Sequence, residues 1–448
     1  MKEKYKEVFE QLLKAYEKNE IDKKIRELFN DFKVNKKEMG RIIASLCGVD
    51  VEYENGEKFI KDVKDAISNY KRDSKIVYKI KECDMKCADE EGKTLCQKAC
   101  PFNAILKDGE KIYIKEELCV DCGKCVEACK DGGFLDRIEF IPLVDILKSD
   151  VPVIAAVAPA IAGQFGEDVS LEKLRSAFKK VGFLDMVEVA FFADMLTLKE
   201  AIEFDHFVKS EDDLMITSCC CPMWVGMLKR VYKDLVKNVS PSVSPMIASG
   251  RVLKKLNPKC KVVFVGPCIA KKAEAKNEDI KGAIDFVLTF EEVKNIFDVL
   301  EINPSELEED FTTEYASREG RLYARTGGVS IAVSEAVAQI FPEKAKLIKT
   351  VQANGVKECK EVLDKAMRGE ISANFIEGMG CVGGCVGGPK AIIPKEKGKE
   401  KVDEVAENSK IKISLNSECM KKVLNTIGIN GVEDFKDKDK IKIFEREF

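Results

Sequence analysis

The sequence predicts an α/β fold in which a large domain of strand and helix units follows a cysteine-dense segment and a small helical region. Three observations support this fold class. From Val151 onward, short apolar runs alternate with amphipathic stretches, as in VPVIAAVAP followed by SLEKLRSAFKKVGF, a pattern typical of strand and helix units. Eight of the 18 cysteines lie between Cys83 and Cys129. Residues 1–72 carry apolar positions at helical spacing.

Composition places the boundaries of three predicted domains. Residues 1–72 form a small N-terminal helical region, residues 73–145 form the cysteine-dense domain, and residues 146–448 form the α/β domain. Cys47 is the one cysteine of the helical region, and we expect it to be a buried apolar side chain.

The charge and hydropathy patterns exclude several classes of protein. The formal net charge is -4, and no apolar run approaches the roughly 18 residues of a membrane helix. We therefore expect neither a nucleic acid nor a membrane as partner. The N-terminus is charged and amphipathic, which does not fit a secretory signal. We expect a cytoplasmic protein, in which clustered cysteines serve metal or redox chemistry rather than disulfides.

The second half of the cysteine-dense domain has the cysteine spacing of a bacterial ferredoxin. Its four cysteines are separated by two, two and three residues and are Cys119, Cys122, Cys125 and Cys129. In this loop three successive thiolates bind one 4Fe-4S cluster, and the fourth binds a second cluster. The sequence therefore predicts a two-cluster, ferredoxin-like domain.

The first half of this domain has looser spacing and ends with a proline. Pro101 follows Cys100, and a proline after the cysteine is the usual mark of the ligand exchanged between the clusters. One predicted 4Fe-4S cluster takes Cys100, Cys119, Cys122 and Cys125. The other takes Cys83, Cys87, Cys96 and Cys129. A pair of structural zinc sites is the alternative, although zinc ribbons favour separated cysteine pairs.

Three further cysteine segments lie in the predicted α/β domain. They read TSCCCPMW at 217–224, GPCIAKKAE at 266–274 and EGMGCVGGC at 377–385. Together they resemble the signature of the [FeFe]-hydrogenases. With the ferredoxin-like domain, the resemblance extends from about Lys81 to about Pro389.

The resemblance implies an H-cluster, in which a 4Fe-4S cubane is bridged by a cysteine to a two-iron unit with CO, CN and dithiolate ligands. The implied cubane ligands are Cys221, Cys268, Cys381 and the bridging Cys385. Lys271 is the implied hydrogen-bond donor to a cyanide. The backbone at Pro159 and Ala160 resembles the strand that approaches a cyanide, and Met379 matches a family methionine.

The resemblance also implies a proton relay. The segment FFADMLTLKEAIEF is similar to the family's helix with two acidic proton carriers, which places these carriers at Glu200 and Glu203, and Ser240 falls at the position of a relay hydroxyl. The family usually has two cysteines before the proline, whereas this chain has three. Both flanks stay in register if Cys221 is the ligand, Cys220 is the proton-donating thiol, and Cys219 replaces a serine.

Two of these assignments have an alternative. By themselves, the two glutamates also fit an ordinary solvated helix face, and their register with the thiol and the hydroxyl favours the relay. His206 lies near Glu203 along the chain, where it is either a surface proton exit or an ordinary solvated residue.

Three further positions depart from the family pattern. Gly266 stands where a methionine usually packs against the two-iron unit, and Met246 stands where glutamine is frequent. Phe207 replaces a basic residue at the outer end of the proton relay. These departures predict a divergent member with an altered surrounding of the cofactor.

The implied function is reversible reduction of protons to dihydrogen, with electrons from a soluble carrier such as ferredoxin. Hydrogenase maturation proteins are further implied partners, because the organometallic unit is built outside the chain that binds it. A low-turnover dihydrogen or redox sensor that keeps the H-cluster is one alternative. An iron-sulfur trafficking protein without the two-iron unit is the other, and such proteins generally lack counterparts of Cys220 and Lys271.

Overall fold

The computed structural model describes residues 2–31, 35–71, 75–109, 111–218, 220–311 and 316–448. Backbone contacts divide the chain into two compact units. The first unit consists of Met1–Asp150, Ile269–Lys276 and Phe286–Ile302, and the second consists of Val151–Cys268, Asn277–Asp285 and Asn303–Phe448. In the described ranges, no helix is both long enough and apolar enough to cross a membrane. The boundaries of the three predicted domains stay predictions.

Residues up to Asp150 form helices at both ends and short strands between them. Helix α1 buries Val8, Phe9 and Leu12 on one side, as the apolar spacing predicts. The helices are α1 (Glu3–Glu17), α2 (Ile21–Asp31), α3 (Lys36–Leu46), α4 (Gly56–Ser68), α5 (Leu95–Ala99), α6 (Lys124–Ala128) and α7 (Ile141–Leu147). The strands are β1 (Val77–Lys79), β2 (Ile105–Asp108), β3 (Lys111–Ile114) and β4 (Phe134–Asp136).

The four short strands form two antiparallel pairs around the cysteine-dense segment. Strand β1 pairs with β4, and β2 pairs with β3. Helix α5 starts at a capping box between Thr94 and Gln97, which satisfies backbone donors at its first turn. The buried apolar side chains of this region include the thiols of Cys96 and Cys125. These cysteines are thus part of the local core.

The next segment contains the parallel strands that the alternating pattern predicts. Its strands are β5 (Val153–Val157), β6 (Asp185–Glu188), β7 (Met215–Ile216) and β8 (Lys261–Gly266). Its helices are α8 (Leu171–Val181), α9 (Val189–Phe207), α10 (Pro222–Arg230) and α11 (Pro245–Leu256). Strand β5 lies between β6 and β8, and Val157 stands opposite Glu188 and Val265. The α/β fold class is confirmed by these parallel strands and their helices.

The chain then enters the first unit and returns to the second. The elements from 270 to 299 are α12 (Ala270–Glu274), β9 (Phe286–Thr289) and α13 (Phe290–Val299). The remaining helices are α14 (Arg318–Leu322), α15 (Gly328–Ile340), α16 (Val356–Met367), α17 (Lys395–Glu407), α18 (Glu418–Thr426) and α19 (Lys438–Ile441). The remaining strands are β10 (Thr350–Asn354) and β11 (Phe375–Met379), and β11 lies between β10 and β7, parallel to both.

Helix α9 is buried along most of its length, and it carries charged side chains in this buried environment. Lys199 and Glu200 are fully buried, and Glu203 is partly exposed. Burying a charge is costly unless it is paired or hydrogen-bonded. These charged side chains therefore need hydrogen-bond or ion-pair partners in the second unit.

The first unit contains a buried cluster of charges centred on Lys272. The Lys272 ammonium donates to Asp136 at 3.0 Å, to Glu292 and to the carbonyl of Arg137. All of these partners are buried. Burial raises the pKa of Glu292 to about 7, which Lys272 opposes. The cluster ties Ile269–Lys276 to the rest of the first unit.

Lys272→Met should lower the free energy of unfolding of the first unit by about 3 to 5 kcal/mol, because it leaves two buried carboxylates without their cation. Urea denaturation of the anaerobically purified protein measures this loss. Lys58→Met is the matched control, since Lys58 forms an exposed ion pair with Glu54, and it should cost less than about 1 kcal/mol. Equal losses in the two variants would contradict the prediction.

Candidate active site

Four thiols of the first unit form one group around Cys96. Burial raises the pKa of Cys96, and the neighbouring thiols of Cys129, Cys87 and Cys83 raise it further. These are the four thiols that the spacing assigns to one cluster, and the assignment stays a prediction. Cys129 follows α6 directly, whereas Cys125 lies within that helix.

The other four thiols form a second group around Cys125. Burial raises the pKa of Cys125 well above its usual value, and the neighbouring thiols of Cys122, Cys119, Cys100 and Cys96 raise it further. Burial also raises the pKa of Cys122 to about 12. A thiolate buried in this way needs a nearby cation, which an iron cluster supplies.

Backbone amides donate to the sulfurs of both groups. Hydrogen bonds to cluster sulfurs are one means by which a protein stabilises and tunes an iron-sulfur cluster. The amide-to-sulfur distances are 3.3 Å for Met85 to Cys83, 3.2 Å for Ala104 to Cys100, 3.4 Å for Asp121 to Cys119 and 3.1 Å for Gly133 to Cys129. The donor set and these amides fit two 4Fe-4S clusters.

A cubane binds each thiolate at a different iron, so its ligands need not surround a single point. In the described part of the chain, no three His, Cys, Asp or Glu side chains surround a position for one metal ion.

In the second unit, the cysteines of the three hydrogenase-like segments follow the carboxyl ends of parallel strands. Cys220 and Cys221 follow β7, Cys268 follows β8, and Cys381 follows β11. Strands β7 and β11 are neighbours in one parallel sheet, and β8 belongs to another sheet. Loops at the carboxyl ends of parallel strands commonly build binding sites, and these loops carry cysteines that are far apart in sequence.

Hydrogen bonds hold these loops against one another. The Gly380 amide donates to the Cys221 sulfur at 3.4 Å, which joins the loops after β7 and β11. The Lys390 amide donates to the Pro267 carbonyl at 3.0 Å, which joins the segment after Cys385 to the loop of Cys268. All four proposed cubane ligands are partly exposed thiols.

Two glycines allow these loops to approach closely. A Cβ on Gly380 would lie 2.1 Å from the Met223 side chain, and a Cβ on Gly384 would lie 2.6 Å from the Thr326 nitrogen. Gly384 also has a φ of +85°, a backbone conformation that favours glycine. This close-packed glycine loop and the four thiols fit a bulky cluster.

The remaining proposed cofactor contacts lie on different elements. Pro159 and Ala160 form a short 3-10 helix directly after β5, and Met379 is the buried last residue of β11. Lys271 lies on α12 in the first unit, where its ammonium donates to Glu274 at 2.7 Å. Lys271 comes three residues after Cys268 along the chain.

Hydrogen bonds connect Glu203 to the loop of Ser240. The Ser240 hydroxyl donates to the Glu203 carboxylate at 2.7 Å, and Ser242 lies 3.4 Å from the same oxygen. Lys199 is an ion-pair partner of Glu203. This carboxylate therefore has both hydroxyl and ammonium partners instead of lying on a solvated helix face.

Glu200 is bound to the loop that carries the consecutive cysteines. The Thr217 hydroxyl lies 2.8 Å from both Glu200 oxygens. The Ser218 hydroxyl donates to the carbonyls of Ser240 and Ser242 at 2.6 and 2.8 Å. The loop of residues 217–221 (the cysteine loop), helix α9 and the loop of residues 239–244 (the serine loop) are thus connected. Cys219 lies outside the described residues.

The Cys220 thiol donates to the backbone carbonyl of Tyr323 at 3.8 Å. The Tyr323 hydroxyl in turn lies 2.8 Å from Thr197, one turn before Glu200 on α9. Sequence reasoning missed Tyr323 and Thr217. Thr217 was visible inside the quoted cysteine segment, whereas no motif marks Tyr323.

The departures from the family pattern have local packing partners. A Cβ on Gly266 would lie 2.6 Å from the Phe264 ring, so a larger residue does not fit there in this arrangement. Met246 is buried on α11. Phe207 is half-buried at the end of α9, and its ring contacts the exposed His206.

Comparison with known families identifies the class to which this fold and these cysteine loops belong. Residues 151–389 match the family described as iron only hydrogenase large subunit, C-terminal domain. The match spans more than half of the 448 residues, and the chain belongs to this family. The resemblance inferred from the three cysteine segments is thereby confirmed.

Individual relatives include both hydrogenases and an assembly protein. NADP-reducing hydrogenase subunit HndD of Solidesulfovibrio fructosivorans is 26% identical over 340 residues, which are 64% of this chain and 58% of that protein. Iron hydrogenase 1 of Clostridium pasteurianum is 27% identical over 328 residues, 62% of this chain and 56% of that protein. Cytosolic iron-sulfur assembly component 3 of Rattus norvegicus is 25% identical over 359 residues, 66% of this chain and 75% of that protein.

The chain therefore spans little more than half the length of these two hydrogenases. Among solved structures, a variant of [FeFe]-hydrogenase HydA1 from Chlamydomonas reinhardtii has a TM-score of 0.55 and 20% sequence identity. The similarity covers 68% of this chain and 97% of that chain. At this identity the likeness shows the fold alone.

Protein purified anaerobically without maturation should contain about twelve irons, four for each of three cubanes. Cys122→Ala should remove about four of them, because it deletes one ligand of a single accessory cluster. Metal analysis with electron paramagnetic resonance of the reduced protein measures both quantities. Cys47→Ala is the control, since Cys47 is a buried thiol of the helical region and its loss should leave the iron content unchanged. Stoichiometric zinc in place of iron would contradict the assignment.

Proposed function

We propose that this protein is an [FeFe]-hydrogenase that catalyses the reversible reduction of protons to dihydrogen. The observation that carries this proposal is the pair of carboxylates on α9, each hydrogen-bonded to a hydroxyl from a different loop. Glu200 binds Thr217 of the cysteine loop, and Glu203 binds Ser240. Proton transfer requires groups within hydrogen-bond reach of one another or joined through one water, and a protein that only carries clusters has no such requirement.

In this proposal Cys221, Cys268, Cys381 and Cys385 hold the cubane of the H-cluster, with Cys385 as the bridge. The loop positions and the glycine packing support this ligand set. When bound, the H-cluster supplies the redox-active irons at which electrons and protons combine. The further proposed contacts of the two-iron unit are Pro159, Ala160, Lys271 and Met379.

The proposed proton relay uses residues of the second unit only. Cys220 delivers protons to the cofactor, and Glu200, Ser240 and Glu203 carry protons between Cys220 and the surface. A thiol and a carboxyl are both suited to this task, because each can lose and regain a proton near neutral pH when its surroundings adjust its pKa. Thr217 holds the Glu200 carboxylate toward the cysteine loop.

The proposed electron path uses the two cysteine groups of the first unit. One 4Fe-4S cluster is held by Cys100, Cys119, Cys122 and Cys125, and the other by Cys83, Cys87, Cys96 and Cys129. Cys87 is the exposed member of these groups, which suits electron exchange with a soluble carrier such as ferredoxin. Maturation proteins would supply the two-iron unit, and we propose that the protein acts in the cytoplasm.

Iron-sulfur cluster assembly is a second candidate function. The similarity to cytosolic iron-sulfur assembly component 3 favours it. The presence of Cys220 and Lys271, together with the buried hydrogen-bonded Glu200, favours the hydrogenase instead.

Anaerobic reconstitution with the two-iron cofactor separates these functions. A hydrogenase should then show infrared bands of metal-bound CO and CN and should evolve dihydrogen from a chemical reductant. An assembly protein should show neither signal while keeping its 4Fe-4S clusters. Absence of both signals in protein with full iron content would overturn the proposed function.

Substitutions of the adjacent Cys220 and Cys221 should have different effects. Cys220→Ala should keep the iron content and the CO bands, and it should lower turnover by a factor on the order of 100, because a positioned proton donor is lost. Cys221→Ser should lose the cubane, since it removes a proposed ligand. Metal analysis, infrared spectra and dihydrogen evolution measure these outcomes.

Cys220→Asp is the informative companion, because a carboxyl also transfers protons and should restore part of the rate. Loss of the cubane in Cys220→Ala with retention in Cys221→Ser would shift the ligand by one position along the chain.

A further inference from the structure

The outer end of the proposed relay lacks the basic residue that the family pattern leads one to expect. Phe207 stands at that position, and its side chain can neither accept nor donate a proton. Glu203 is only partly exposed, with 13% of its side chain accessible. A more exposed carboxyl beside Glu203 is therefore better placed to exchange protons with water.

The C-terminal segment of the chain runs directly beside the serine loop. Ser242 and Glu445 form an antiparallel bridge. The Val243 amide donates to the Phe444 carbonyl at 2.9 Å, and the Arg446 amide donates to the Pro241 carbonyl at 2.8 Å. These backbone bonds hold Glu445 next to the relay without depending on its side chain.

Lys199 connects the two carboxylates. Its fully buried ammonium pairs with Glu203, lies 3.6 Å from a Glu445 oxygen and donates to the Ser242 hydroxyl at 3.2 Å. The Glu445 side chain is 27% exposed, about twice the exposed fraction of Glu203. Exposure therefore increases from Lys199 to Glu203 to Glu445.

The charges of Lys199, Glu203 and Glu445 favour proton uptake at Glu445. One ammonium faces two carboxylates, which leaves an excess of one negative charge among these three side chains. Burial raises the pKa of Glu445, Lys199 and Lys438 oppose the increase, and Glu203 adds to it. The net direction is upward, so Glu445 holds a proton at higher pH than an ordinary glutamate.

We propose that Glu445 exchanges protons with water at the outer end of the relay and passes them to Glu203 through Lys199. This role rests on the proposed hydrogenase function. Glu445 lies near the end of the given sequence in a stretch rich in lysine and glutamate, outside every motif named in the sequence analysis. Its place in the relay comes from backbone pairing with the serine loop.

The transfer conserves total charge. A hydronium ion gives a proton to the Glu445 carboxylate, so that an O–H bond of hydronium breaks, an O–H bond forms on Glu445 and water is released. An N–H bond of Lys199 then breaks as an O–H bond forms on Glu203, and the resulting amine takes up the Glu445 proton as the Glu445 O–H bond breaks and a new N–H bond forms. The ammonium is regenerated, no electron moves, and the reverse sequence releases a proton during dihydrogen oxidation.

Glu445→Gln removes the exchangeable proton with little change of shape. In the reconstituted protein it should lower the maximal rate of dihydrogen evolution by about tenfold or more. The lower bound is smaller than the roughly 100-fold loss that is usual when a positioned acid-base group is removed. The KM for the electron donor and the infrared bands of the cofactor should stay unchanged. Glu447→Gln is the matched control, because Glu447 is an exposed carboxylate two residues away on the same segment, and it should retain the wild-type rate.

A second measurement does not depend on the two-iron unit. Infrared pH titration of the unmatured protein reports the carboxyl band of Glu445, assigned as the band that Glu445→Gln removes. Glu203→Gln should lower the pKa of Glu445, because it removes a neighbouring negative charge. Glu447→Gln should leave that pKa unchanged.

The outcomes separate this role from the proposed function. Equal rates for Glu445→Gln and Glu447→Gln in an active enzyme would overturn the role of Glu445 and leave the hydrogenase proposal intact. An unchanged Glu445 pKa in Glu203→Gln would also overturn it. If the wild type shows neither dihydrogen turnover nor cofactor bands, the hydrogenase proposal fails and the proton-exchange role fails with it, even where the Glu445 titration depends on Glu203.

Discussion

The meeting of loops that follow parallel strands is the constraint on which the rest of the second unit depends. Cys221, Cys268 and Cys381 are far apart in sequence, and each follows the carboxyl end of a strand that is paired in parallel with a neighbour. The four thiolate ligands of a cluster come close to one another only when such loops meet, because a preformed site rarely exists in the unfolded chain. The close approach at Gly380 and Gly384 shows how tightly the loops then pack.

The same constraint explains why a buried helix can carry charged side chains. Lys199, Glu200 and Glu203 lie on α9, where an unpaired charge would be costly. Their partners come from Thr217 on the cysteine loop and from Ser240 on the serine loop. These hydrogen bonds stabilise the buried charges, and the proposed proton relay uses the same hydrogen bonds.

In the first unit, local spacing predicts most of each proposed set of cluster ligands. Two-residue separations keep Cys119, Cys122 and Cys125 on one loop and its short helix, so this group can be predicted from the sequence. Lys272 is different, because its partners Asp136 and Glu292 are more than 15 residues away along the chain. Nothing in the local pattern distinguishes this buried lysine from the adjacent Lys271.

The sequence by itself determined the fold class, the family and the cysteine segments, because periodicity and motif spacing are local properties of the chain. It also pointed to Glu200 and Glu203, whose spacing of three places them on one side of a helix. Only the tertiary structure decided that Thr217 binds Glu200 and that Glu445 lies beside Ser242. Those pairings join segments separated by 17 and by about 200 residues. A local periodicity does not indicate which distant segments are in contact.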